Sequence, residues 1–84
     1  MFLTPPYSIY IWQPEKHGGC WIEPVQAYTQ EYAIYVANLI HQNTRSVIKV
    51  ARYGVTIAAF PNKETVERIE GYLAKHGYDQ RNRS

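Results

Sequence analysis

The chain has a single cysteine, Cys20, and a single aspartate, Asp79. One thiol cannot close an internal disulfide, so the fold is not a disulfide scaffold, and a reducing compartment suits it. One aspartate argues against a carboxylate-based metal nuclease. No run approaches about 18 apolar residues, so no transmembrane helix is expected. The opening MFLTPPYS lacks the basic start and long apolar core of a signal peptide. A cytoplasmic protein with no membrane partner is the expectation. There is no glycine-rich phosphate loop. The formal charge is only +2, which excludes an acidic DNA mimic and permits nucleic-acid contact without arguing for it.

Catalytic and metal-binding spacings are also missing. His17, His41 and His76 fall in a loop and at two helix ends, and none has a second ligand three or four residues on. His17 and Cys20 share a glycine-rich loop, but a Cys–His nucleophile pair needs a third group to orient the base, and none is near. Glu64, Glu67 and Glu70 read as a solvated helix face. No enzyme activity, metal or cofactor is expected.

What is present is a small globular domain. Its 84 residues make one domain, and a chain of this size buries only about 60–65% of its unfolded surface. Hydrophobic residues make up 45% and charged residues 19%, a globular rather than a disordered balance. Eight tyrosines raise the aromatic content to 14%, and tyrosine serves cores and interfaces equally well.

The longest helical pattern is Thr29 to Asn43, TQEYAIYVANLIHQN. Thr29 is a helix N-cap and Gln30 and Glu31 suit the first turn. Ala33, Val36, Ala37 and Ile40 make one stripe of 3.6-residue period. Asn43 is the expected left-handed stop. The opposite side carries Glu31, Tyr35, Asn38 and Gln42. Tyr32 and Leu39 lie on one flank, Ile34 and His41 on the other. Either the second helix and the termini cover these flanks, or Tyr32, Tyr35 and Leu39 form a protein-binding face.

Around this helix the chain alternates. Residues 1–6 are a lead-in held extended by Pro5-Pro6. Tyr7 to Gln13, YSIYIWQ, has the period-two pattern of a strand. A loop with Gly18-Gly19 leads to a second strand, Cys20 to Tyr28, antiparallel to the first. Pro24 in it indicates an exposed edge or a bulge. After the helix, Ser46 to Arg52 and Val55 to Phe60 flank Tyr53-Gly54 as a second hairpin. Asn62 caps a second helix, Lys63 to His76, with Val66, Ile69 and Leu73 inward and a Glu64–Arg68 pair at i, i+4. Gly77 ends it, and residues 79–84 are a polar tail that carries Arg81 and Arg83.

The expected fold is therefore α+β, in ββαββα order, with an antiparallel four-stranded sheet and two helices packed on one face. Ile9, Ile11, Ile48, Val50, Val55 and Ile57 are the expected core side. In the second strand, Trp21, Val25 and Ala27 compete with Cys20 and Ile22 for it. The reverse face would show Tyr10, Trp12, Lys49, Thr56 and Phe60.

Two functional expectations follow. The first is a non-catalytic protein-interaction module that binds a larger protein or forms a homodimer through Tyr32, Tyr35, Leu39 and the Pro24 edge. By analogy of size and architecture alone, accessory proteins of phages and mobile elements have this form. The alternative is single-stranded nucleic-acid binding by Tyr10, Trp12, Lys49 and Arg52, since bases stack on aromatic sheet faces. Arg45 and the tail arginines would add phosphate contacts if they clustered.

Overall fold

The computed structural model describes residues 4–14 and 18–75. His17, the His76–Gly77 helix end, the polar tail and residues 1–3 of the lead-in lie outside the described residues. The elements run β1 (Tyr7–Gln13), β2 (Cys20–Ala27), α1 (Gln30–Thr44), β3 (Ile48–Arg52), β4 (Val55–Phe60) and α2 (Lys63–Lys75). The strands form one antiparallel sheet in the order β2-β1-β3-β4. The α+β class, the ββαββα order and the four-stranded antiparallel sheet are as expected. Among the described residues, no helix is long and apolar enough to cross a membrane.

The two hairpins join through their first strands, β1 and β3, which lie at the centre. Ile9 pairs with Val50 and Ile11 with Ile48. Their side chains share one face, because residues directly opposite in a ladder point the same way. Ile9, Ile48 and Val50 are fully buried there, each worth about 1.5–3 kcal/mol relative to exposure. Tyr7, Ala27, Ala33 and Ala37 complete that core. Tyr53 and Gly54 both have positive φ, 50° and 87°, the pattern of a two-residue turn whose twist matches the strands.

Irregularities in both outer strands decide the faces. In β2, Ile22 pairs with Ile11 and Val25 with Ile9, with a register shift between them. The extra residue at Glu23-Pro24 lets Ile22 and Val25 share the core face although they are three apart. Trp21 turns to the other face, opposite Trp12. In β4 the register shifts between Thr56 and Ala58. Alternation restarts there, so Ala58 and Phe60 pack against the core. This corrects two expectations: Phe60 lies on the α1 side, and Val55, at the strand end, is exposed. Ile57 is still partly buried against the core.

The second helix does not join the first. Lys49 stands between Ile48 and Val50 on β3, so it points away from α1. Its ammonium pairs with the Glu70 carboxylate of α2. It also lies over the rings of Tyr10 and Trp21, 5.3 and 4.5 Å from their centroids. Val66, buried on α2, and Ala51, buried on β3, both stand outside the core gathered under α1. α2 therefore packs on the reverse face, and the sheet lies between the helices. This corrects the expectation of two helices on one face. Beside Lys49 and Thr56, the residues turned to that side include Ala51 of β3 and Ala59 of β4, small enough to admit a helix.

Candidate functional site

The sequence of α1 dictates which of its sides stays open. Thr29 is extended, with φ −122° and ψ 153°, and its hydroxyl accepts from the Tyr32 amide at 3.2 Å. Its carbonyl accepts from the Ala33 amide at 3.0 Å. These bonds start the helix and set its rotation. Ala33 and Ala37 then face the sheet with no exposed surface, and their small side chains let the helix lie close. Val36 and Ile40 pack beside them.

One flank is used internally. His41 Nδ1 donates to the Ser46 carbonyl at 2.7 Å, and its ring lies 6.2 Å from Phe60 of β4. Ile34, on the same flank, is half-buried. The helix thus leans its Ile34–His41 side towards β4. Its other flank turns away from β4. Tyr32, Tyr35 and Leu39 are 56%, 62% and 44% exposed. Their spacing of i, i+3 and i+7 places them on one stripe. Asn38, Gln42 and Glu31 are exposed next to it. Glu31 is the only charged residue within the helix.

The helix ends differently from expectation. Asn43 Nδ2 donates to the Leu39 carbonyl and Thr44 Oγ1 to the Ile40 carbonyl, both at 2.8 Å. These side chains satisfy carbonyls of the last turn from within the helix. The left-handed residue is accordingly Arg45, with φ 62°, and its amide donates to the His41 carbonyl at 2.7 Å. This corrects the assignment of the stop to Asn43. Arg45 is exposed at the far end of the helix.

Pro24 is exposed on the outer strand β2, in the bulge. Beside it, Gln26 Nε2 donates to Glu23 Oε2 at 3.1 Å. A proline, a carboxylate and a bulge together blunt a sheet edge against pairing.

Tyr10, Trp12, Lys49 and Arg52 do not assemble into one platform. Tyr10, Trp12 and Lys49 share the face towards α2. Arg52 alternates with Ala51 and pairs with Tyr7 on the α1 face, where its guanidinium lies 5.7 Å from the Tyr7 and Tyr53 rings. Lys49 is only 15% exposed and its charge is matched by Glu70. Trp12 and Trp21 pack at 5.3 Å between centroids, tilted by 59°. The Trp21 indole N–H is buried without an acceptor among the described residues. Sequence reasoning missed this aromatic–lysine–glutamate assembly. Its one signal was the apolar stripe of α2, which needed a surface of its own.

Among the described residues, no three His, Cys, Asp or Glu side chains gather to hold a metal. No protein-family model, curated protein or solved structure matches this chain.

Proposed function

We propose that this chain is a non-catalytic protein-interaction module whose binding surface is the outward face of α1. The observation that carries this reading is the exposure of Tyr32, Tyr35 and Leu39 on one stripe of a helix whose opposite flank is covered. A helix face needed only for solubility would carry Lys, Glu or Arg there. Tyrosine and leucine in one patch instead suit a desolvated contact with another protein, in which aromatic anchors carry much of the affinity. The lone Cys20 thiol agrees with a cytoplasmic setting. Size and architecture are analogous to accessory proteins that act by occupying a larger protein, an analogy of form only.

The test is capture of a partner from a lysate of the native host by the wild-type chain and by a Tyr35→Asp, Leu39→Asp variant. A stoichiometric partner retained by the wild type and lost by the folded variant is expected. Equal capture by both would remove the α1 face from the reading.

The nucleic-acid alternative has less support. Arg52 lies on the face opposite Tyr10, Trp12 and Lys49, and Lys49 already has an anionic partner.

A further inference from the structure

Two charges bound the outward face of α1, one at each end. Glu31 stands in the first turn and Arg45 at the C-cap, about 21 Å apart at 1.5 Å per residue. Both are exposed, and neither has an ion-pair partner among the described residues. At 100° per residue Glu31 projects on the side that carries Tyr35 and Asn38, and Arg45 caps the far end of the helix. Everything between them on that side is uncharged. Arg45 also holds a left-handed conformation that glycine would adopt more cheaply.

We propose that this face docks on the same face of a second copy of the chain, with the two α1 helices antiparallel. The proposal rests on the reading of α1 as the binding surface and names its occupant. Charge complementarity selects the antiparallel arrangement. It brings Glu31 of each copy level with Arg45 of the other, giving two reciprocal ion pairs at the rim. A parallel arrangement would set Glu31 against Glu31 and Arg45 against Arg45, and would align the helix dipoles unfavourably. With those ends matched, the two-fold axis passes near Asn38. Leu39 of both copies then lies beside the axis, and Tyr35 of each falls between Leu39 and Gln42 of the other. Such a surface is self-complementary, as a two-fold interface must be. The β2 edge is a poorer route to a dimer, because self-pairing there would bring two Glu23 carboxylates and two Pro24 residues together.

The experiment is sedimentation equilibrium on the full chain from micromolar to near-millimolar concentration. The wild type is expected to dimerise. Glu31→Lys and Arg45→Asp should each weaken self-association by about tenfold, because each turns two attractive pairs into repulsive ones. A one-to-one mixture of these two variants should recover the wild-type affinity, since the heterodimer restores opposite charges at both ends. Far-UV circular dichroism checks that each variant is folded. Arg45→Asn, which suits the left-handed cap, should show a smaller loss. A wild type that stays monomeric, a dimer unmoved by the charge reversals, or folded variants whose mixture recovers nothing would overturn the proposal. A monomer whose Tyr35–Leu39 face still captures another protein overturns the second-copy assignment and leaves the interaction module standing. A chain that does neither overturns both.

Discussion

Lys49 of β3 and Glu70 of α2 are joined across the sheet face that α1 leaves bare, with Lys49 held over the rings of Tyr10 and Trp21. This pair ties the second helix to the reverse face. It also takes the Lys49 ammonium out of the solvent-facing set. The sheet is thereby shielded by a helix on each side, and Tyr32, Tyr35 and Leu39 are left exposed together on the outside of α1.

Glu70→Ala should destabilise the fold by about 1 kcal/mol, because it leaves a largely buried ammonium without its counter-charge. Lys49→Met should cost less, since the methionine stem keeps contact with both rings and no charge is left behind. Glu64→Ala should change stability by no more than about 0.5 kcal/mol, because its pair with Arg68 is 74% exposed on both sides. Urea unfolding of the three variants measures these differences. A Glu64→Ala loss as large as that of Glu70→Ala would contradict the assignment.

Tyr35→Asp should leave stability within about 0.5 kcal/mol of wild type, because the side chain is 62% exposed. Ala37→Leu should cost about 1–3 kcal/mol, since Ala37 has no exposed surface and sets the helix against the sheet. Thermal melts compare the two. If Tyr35→Asp unfolded the chain, Tyr35 would be structural rather than a binding residue.

Gly19→Ala should destabilise strongly. Its φ is +113°, and an added Cβ would lie 2.6 Å from Trp12 Cη2, part of a rigid ring packed against Trp21. Gly71→Ala, in open space within α2, should stabilise by about 0.5–1 kcal/mol through helix propensity. Shifts of the guanidinium midpoint in opposite directions from wild type are the expected readout.

A labelled single-stranded oligonucleotide should show no retardation even at about 50 mM salt, where phosphate contacts are strong. Arg52 lies across the sheet from Tyr10 and Trp12, and Lys49 is neutralised. A shift that Lys49→Met or Arg52→Ala abolished would reinstate the nucleic-acid alternative.

Local patterns were legible in the chain because their causes are local. The alternation of Tyr7–Gln13, the Tyr53-Gly54 turn, the Thr29 and Asn62 caps and the Ala33–Ala37 stripe each depend on neighbours in sequence, and each stands in the structure. The open flank of α1 was visible only as one of two possibilities. The covering of Ile34 and His41 rather than Tyr32 and Leu39 depends on the helix leaning towards Phe60 of β4. The faces of β2 and β4 turned on single-residue bulges, which reverse alternation and have no sharp sequence mark beyond Pro24. The side taken by α2 was least legible. Its apolar stripe fits either face of a sheet, and the choice was made by the small Ala51 and Ala59 and by the pairing of Lys49 with Glu70. The sequence alone therefore determined the elements, their order and the excess of apolar surface on α1. Only the tertiary structure decided which aromatic residues are covered, because coverage depends on layers packed from residues distant along the chain.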